Sequence, residues 1–150
     1  METIAIDPGK SGGLAWRDAA GCTHASPMPD GMTAQVDFLR DLPGRLPVSR
    51  AVIEKVGPMP HDGKASLAKF ARHCGHLEAA LYLLGIPTIQ VAPGVWQRAL
   101  GALPADKCDR KRVIRETMQR RFPGLRVTLK TADALAILEW VTRRTTAGAL

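Results

Sequence analysis

The chain has 150 residues, of which 45% are hydrophobic and 23% charged, and its formal net charge is +7 at pH 7. This length predicts a single domain over residues 1–150 and excludes a protein built from two nucleotide-clamping lobes. No apolar run approaches the roughly 18 residues that a membrane span needs, and the opening residues lack a signal-peptide pattern, so we expect a cytoplasmic protein without a membrane partner.

The first half of the chain predicts a β-hairpin, a further strand, a helix and a buried strand. The segments TIAID at 3–7 and GGLAW at 12–16 are strand-like, and the glycines between them permit a tight turn. CTHASPM at 22–28 is a candidate third strand, and TAQVDFLRDL at 33–42 has helical apolar spacing that ends before a proline. RAVIEKV at 50–56 is short and β-branched, which is typical of a buried strand.

The second half predicts helices around one more strand. ASLAKFARHCGHLEAALYLLG at 65–85 has the pattern of a long helix that stops at a Gly-Ile-Pro sequence. PTIQVA at 87–92 is strand-like, and PGVWQRALG at 93–101 indicates a short helix or turn. A basic amphipathic helix is expected at 107–122 and a final helix at 131–144. This order predicts an α/β protein with a mixed sheet and helices on its faces.

The excess of basic residues favours a polyanionic partner such as nucleic acid, although many basic proteins bind no DNA. It is densest at 107–121, where KCDRKRVIRETMQRR holds seven basic residues and two acidic ones. A solvated helix face is the alternative interpretation. Cys22, Cys74 and Cys108 show no CxxC spacing, so we expect reduced thiols and neither a disulfide framework nor a thiolate zinc site.

Three carboxylates lie in apolar surroundings. Asp7 and Glu54 each stand near the C-terminal end of a predicted strand, and Asp133 falls in the first turn of the last helix. If the two strands pair in parallel, Asp7 and Glu54 lie side by side at one sheet edge, where a divalent cation would relieve their repulsion. Structural alternatives stay open for each residue. They are a turn-forming Asp before proline, a Glu paired with Lys55 or a nearby Arg, and an Asp early in its helix that favours the macrodipole, with Thr131 or Asp133 as the cap.

Two other motifs are weighed and set aside. Gly9-Lys10-Ser11 looks like the end of a P-loop, but position 4 holds Ile where that pattern needs Gly, and a strand-like run follows it. We therefore expect no nucleotide cofactor. His73 and His76 lie three residues apart on a predicted helix, yet no third ligand has suitable spacing, so helix-surface histidines are preferred over a metal site.

Five segments together resemble the RuvC-type Holliday junction resolvases, most closely the compact phage and prophage members. They are IAIDPGKSGGLAW, AVIEKVGPMPHDGKASLAKFARHCGHLEAAL, GIPTIQVAPGVWQRALG, DRKRVIRETMQRRFPG and TADALAILEW, in this order along nearly the whole chain. Each motif alone is weak, and their combination is specific. The resemblance implies a ribonuclease H-like fold with a five-stranded mixed sheet flanked by helices, and a homodimer.

The resemblance also implies an activity: a magnesium-dependent endodeoxyribonuclease that nicks two opposing strands of a four-way DNA junction, in recombination, repair or phage genome processing. Asp7, Glu54 and Asp133 match the family's metal-binding carboxylates, which would hold two Mg²⁺ ions, with Mn²⁺ as a substitute. Lys111 falls near a catalytic basic residue that the family keeps on the same helix. Lys107 is the competing position.

Two kinds of surface are expected to bind partners. The candidate contacts with the DNA backbone are Lys55, His61, Lys64, Lys69, Arg112, Arg115 and Lys130. Solvation is the alternative for each of these side chains. The long helix at 65–84 is a candidate dimer interface because its apolar face is broad, and intramolecular core is the alternative for that face.

Two positions depart from the family pattern. Lys130 stands three residues before Asp133, where the family generally supplies a fourth metal-site group, and a protonated Lys does not ligate magnesium. Lys130 would either neutralise the scissile phosphate or mark a weakened or specialised site. Gly57 stands where some relatives carry an aromatic wedge, with Met59 as a loose replacement.

Two alternative functions stay open at this point. One is another ribonuclease H-like nuclease, acting on branched, flap or RNA-containing DNA. The other is a junction-binding protein without catalysis, which the departure at Lys130 keeps under consideration. Cleavage of a four-way junction separates these alternatives.

Overall fold

The computed structural model of the chain describes residues 2–42, 48–55, 57 and 63–148. Its strands are β1 (Glu2–Asp7), β2 (Gly13–Arg17), β3 (Thr23–Pro27), β4 (Val48–Glu54) and β5 (Thr88–Val91). Its helices are α1 (Met32–Asp41), α2 (Lys64–Leu83), α3 (Pro93–Arg98), α4 (Lys107–Arg121) and α5 (Ala132–Thr146). Each element predicted from the sequence is present, with boundaries that differ by a few residues.

The strands form one mixed sheet in the order β3-β2-β1-β4-β5. β1 pairs antiparallel with β2, and β2 with β3, as the hairpin pattern predicts. β4 pairs in parallel with β1 on one side and β5 on the other. In the β1–β4 register Ile6 lies opposite Ile53, so Asp7 and Glu54 end neighbouring strands at the same sheet edge. The condition that the sequence prediction sets for Asp7 and Glu54 to lie side by side, parallel pairing of their strands, is therefore met.

The two faces of the sheet bury two separate apolar clusters, because successive strand residues point to opposite sides. Ile4, Ile6 and Ile53 face α1 and α2. Ala5 and Val52 face the other side, where α3, α4 and α5 pack. Asp7 follows the alternation of β1 and shares the face of Ala5, which directs its carboxyl toward α5.

α5 is the central helix of the second cluster, and its residues 132–138 are all buried. It packs against β1, β2, β4, α3 and α4. Such all-round burial explains why the segment TADALAILEW is apolar on nearly every side. Among the described helices, none has the length and apolar character to cross a membrane.

The turn between β1 and β2 is fixed by glycines at two points. Gly9 has a φ of 113°, a left-handed conformation that favours glycine, and its carbonyl accepts a hydrogen bond from the Gly12 N–H at 3.0 Å. A Cβ on Gly13 would lie 2.4 Å from the carbonyl oxygen of Lys130, just before α5. The hairpin and the start of α5 are therefore packed backbone against backbone.

Candidate active site

Three carboxyl groups from three elements meet at the C-terminal edge of β1 and β4. Asp7 ends β1, Glu54 ends β4, and Asp133 lies in the first turn of α5. Their exposed fractions are 7%, 9% and 9%. Charged groups this buried are destabilising unless they are paired with an opposite charge or serve a function. The sequence prediction that these three residues are neighbours therefore agrees with their placement.

Glu54 contacts an indole and lies beside another acid. The indole Nε1–H of Trp96 donates a hydrogen bond to Oε1 of Glu54 at 2.8 Å, and the carboxyl of Asp7 is close enough for the two charges to repel each other. The sequence alternative in which Lys55 neutralises Glu54 finds no support, since Lys55 is exposed and Trp96 is the partner. Trp96 is not predicted from the sequence as a site residue, because its only signal there is a tryptophan in a short helix directly after a strand.

Asp133 faces a cation. The Nζ atom of Lys111 lies 3.7 Å from its Oδ2 atom. Thr131 and not Asp133 occupies the N-cap position of α5, and the side-chain hydrogen bonds of Thr131 return to Thr128. Asp133 lies in the first turn, where its charge favours the helix macrodipole. Lys111 thus stands at the site.

Burial raises the pKa of all three acids, and repulsion from neighbouring acids adds to this effect at Asp7 and Glu54. The pKa of Asp7 lies well above its usual value, first because the group is buried and then because the charges of Asp133 and Glu54 are close. Burial also raises the pKa of Glu54, an effect that the Trp96 hydrogen bond partly offsets. For Asp133, burial raises the pKa while the nearby Lys111 lowers it. A cation at this edge would stabilise all three ionised forms.

The three acids open into a cleft of about 480 Å³. Lys107, Arg110 and Lys111 line it from α4, and Phe70 lines it from α2. Arg110 is tied to the preceding loop, since its Nη1 donates to the carbonyl of Ala105 at 2.9 Å. The cleft therefore has acidic side chains at the sheet edge and basic side chains on α4.

The donor set suits a divalent metal ion. Carboxylate oxygens are the ligands that Mg²⁺ and Mn²⁺ prefer, and the crowding that raises the pKa of Asp7 is the condition a cation relieves. In the described ranges, no group of three His, Cys, Asp or Glu side chains surrounds a common point as it stands. Asp133 is turned to Lys111 instead, so binding of an ion would exchange that ion pair for a metal contact.

Lys130 lies outside this cleft. It lines a separate cavity of about 410 Å³ together with Lys10 of the β1–β2 turn and with His73 and His76. His73 and His76 contact each other with ring centroids 4.9 Å apart, and His76 hydrogen-bonds to Gln35. The structure thus places Lys130 outside the cleft that Asp133, three residues later in sequence, lines.

The other predicted DNA contacts occupy different surfaces. Arg112 and Arg115 lie on the far side of α4, where they line a cavity of about 520 Å³ with Arg126. Arg112 is paired with Asp109 at 2.9 Å. Lys55, Lys64 and Lys69 are exposed, and none of these three lines the carboxylate cleft. His61 and Met59 lie outside the described residues.

Comparison with known proteins gives structural matches. No protein-family model matches the sequence, and no curated protein matches it at a significant level. The fold is similar to the Thermus thermophilus RuvC in complex with a Holliday junction substrate, with a TM-score of 0.67 and 16% identity over 99% of this chain and 97% of that one. Another Thermus thermophilus RuvC structure gives 0.64 and 17%, covering 99% and 98% of the two chains.

A viral structure shares the same fold. The Fowlpox virus resolvase, in complex with substrate Holliday junction DNA, gives a TM-score of 0.51 and 10% identity over 93% of this chain and 99% of that one. Sheet order and these similarities define a ribonuclease H-like fold. Within that class, the fold is of the RuvC resolvase type, as the sequence predicts.

Proposed function

We propose that this chain is a single nuclease domain that cuts four-way DNA junctions by metal-dependent hydrolysis of phosphodiester bonds. The observation that carries the proposal is the burial of Asp7, Glu54 and Asp133 together beside Lys111. These groups destabilise the fold where they stand, which indicates selection for chemistry. The resolvase-type fold supports the choice of substrate, since two similar structures contain Holliday junction DNA.

Asp7, Glu54 and Asp133 would hold two Mg²⁺ or Mn²⁺ ions. When bound, such ions activate water and stabilise the leaving 3′ oxygen. Hydrolysis forms a bond between the water oxygen and phosphorus and breaks the bond to the 3′ oxygen, which leaves 5′-phosphate and 3′-hydroxyl ends. Lys111 supplies positive charge where negative charge develops on the phosphate.

Positive groups offer contacts for the DNA backbone in two places. Lys107 and Arg110 line the cleft, and Lys10 and Lys130 line the cavity of about 410 Å³. Each phosphate contact should add roughly one unit to the dependence of log affinity on log salt. In this proposal Lys130 binds a phosphate away from the scissile one, because its side chain lines another cavity.

The proposed enzyme acts as a homodimer through α2. Leu77, Ala80 and Leu81 of this helix are buried within the chain, so part of its apolar face is core. The opposite side remains exposed, with Tyr82 and Leu83 at exposed fractions of 83% and 82%. A two-fold dimer would present two equal sites to a junction that is itself roughly two-fold symmetric.

The decisive experiment compares a synthetic four-way junction with duplex and flap DNA of the same sequence, each with and without Mg²⁺. We expect paired symmetric nicks in the junction only. Asp7→Asn should abolish cleavage and retain junction binding in a gel-shift assay. Equal cleavage of the flap would favour the alternative branched-DNA nuclease.

One observation favours a second candidate, a junction-binding protein without catalysis. Lys111 already neutralises Asp133 in the described structure, so this part of the site carries an internal counter-ion. Tight junction binding with no nicks in Mg²⁺ or Mn²⁺ would support this candidate and contradict the nuclease proposal.

A further inference from the structure

Trp96 is a fully buried indole whose polar atom reaches the candidate active site. Its exposed fraction is 0%, and its Nε1–H donates to Oε1 of Glu54 at 2.8 Å. The ring itself packs in the core with Ile114, Met118 and Leu135. One side chain therefore joins the interior of the protein to a carboxylate of the cleft.

The backbone carries Trp96 to this position through short, rigid connections. β5 pairs with β4 up to Glu54, which lies opposite Val91, and the Lys55 N–H donates to the Val91 carbonyl at 2.8 Å. α3 begins two residues later at Pro93, whose ring favours the first helical turn. The indole and the carboxylate are thus fixed relative to each other by the sheet.

A glutamate carboxylate needs such a partner to keep a defined orientation. The terminal torsion of a Glu side chain has a broad preference, so covalent geometry alone does not determine which oxygen faces the cleft. The Trp96 N–H engages Oε1 and leaves Oε2 for other partners. Partners of this kind around metal ligands typically change metal affinity 10- to 100-fold.

We propose that Trp96 is a positioning residue, whose N–H fixes the Glu54 carboxylate so that its other oxygen is presented to a divalent cation in the cleft. The inference rests on the proposed function but concerns cation binding, which is measurable without DNA. A purely structural Trp96 would contribute packing and stability and leave cation affinity unchanged.

Binding of Mn²⁺ to the DNA-free protein, followed by electron paramagnetic resonance, tests the role. Trp96→Phe removes the N–H and keeps most of the ring volume. We expect its dissociation constant for Mn²⁺ to rise about 10-fold or more. Trp140→Phe is the matched control, because Trp140 lies in the same core cluster but stands about two helical turns beyond Asp133 and does not line the cleft. That variant should bind Mn²⁺ like the wild type.

Nuclear magnetic resonance detects the hydrogen bond between the Trp96 indole and Glu54 through the indole N–H signal. The chain has three tryptophans, so the ¹⁵N spectrum contains three indole N–H signals, and the one missing from Trp96→Phe belongs to Trp96. We expect Mg²⁺ to shift this signal while those of Trp16 and Trp140 stay in place. Glu54→Gln should move the same signal without any metal.

The outcomes separate the two proposals. Wild-type Mn²⁺ affinity in Trp96→Phe, or a Trp96 signal that saturating Mg²⁺ leaves unmoved, overturns the positioning role alone. A wild-type protein that binds no Mn²⁺ overturns the metal-dependent nuclease and the positioning role together. Mn²⁺ binding without junction cleavage contradicts the proposed nuclease and leaves the role of Trp96 supported by the variant data.

Discussion

The ammonium of Lys111 lies 3.7 Å from the Oδ2 atom of Asp133, across the gap between α4 and α5. Lys107, one helical turn earlier, lines the same cleft and is exposed. The two lysines thus share a helix and a cleft, and they differ in their distance from the carboxylates. Because of this difference, mutation of each lysine can show which of the two is catalytic.

Lys111→Ala should lower the junction cleavage rate about 100- to 1,000-fold, because a positioned charge that faces the developing negative charge is lost. Lys107→Ala is the matched variant and should change the rate far less, with its effect mainly on binding. Single-turnover cleavage at saturating protein separates rate from affinity. A larger rate loss in Lys107→Ala than in Lys111→Ala would reassign the catalytic lysine.

Asp7→Asn should raise the thermal stability of the metal-free protein by a few degrees. The Asp7 carboxyl is charged at neutral pH only at the expense of burial and of repulsion from two neighbouring acids. An amide removes that charge and can donate a hydrogen bond to Glu54. Thermal unfolding in EDTA measures the change. Lower stability of Asp7→Asn in EDTA would contradict this account of the site.

The same carboxylates predict how stability depends on pH. A carboxyl with a raised native pKa binds more protons in the native than in the unfolded state, so stability falls as pH rises from about 4 through the native pKa. Urea unfolding in EDTA across this range should show the fall, with a shallower slope for Asp7→Asn. Mg²⁺ should restore stability at neutral pH in the wild type more than in that variant.

Gly13→Ala should destabilise the fold by about 1–3 kcal/mol. The new Cβ would lie 2.4 Å from the Lys130 oxygen and 2.8 Å from the Ser26 oxygen, both of them backbone atoms that cannot swing away. Gly94→Ala is the control, because nothing lies within 4 Å of a Cβ there. Chemical denaturation compares the two variants. Equal stability of both would show that the hairpin and α5 are less tightly coupled than the backbone contact indicates.

Tyr82→Glu with Leu83→Glu should convert a dimer to a monomer and leave the melting temperature of the monomer fold nearly unchanged. Both side chains are largely exposed at the end of α2, so charge there opposes association without entering the core. Light scattering of the wild type and the double variant gives the masses. A monomeric wild type with junction bound would remove the dimer from the proposed function.

Much of the fold follows from sequence because the local patterns agree with one another. Strand alternation, helix spacing and glycine turns predict the described elements, and the parallel pairing that brings Asp7 to Glu54 comes from the structure. The side chains that bind the carboxylates are harder to predict from sequence. Trp96 reaches Glu54 across 42 residues of sequence, through a strand register that spacing alone does not encode.

Lys130 shows a second limit of sequence reasoning. Its position three residues before Asp133 suggests a shared site, yet Lys130 lines another cavity. The turn at residues 128–131, closed by hydrogen bonds between Thr128 and Thr131, precedes the helix and redirects the chain. Helical spacing therefore does not extend back to Lys130, and the side chain takes a different direction.

The placement of Asp133 on α5 also has a consequence during synthesis. α5 follows every other described element in chain order and covers one face of the sheet. During synthesis, before α5 has emerged from the ribosome, the chain already carries Asp7 and Glu54 but lacks Asp133. The sheet face that α5 covers is then exposed to solvent. Docking of α5 onto the sheet therefore completes the apolar core and brings Asp133 to Asp7 and Glu54 in the same folding step.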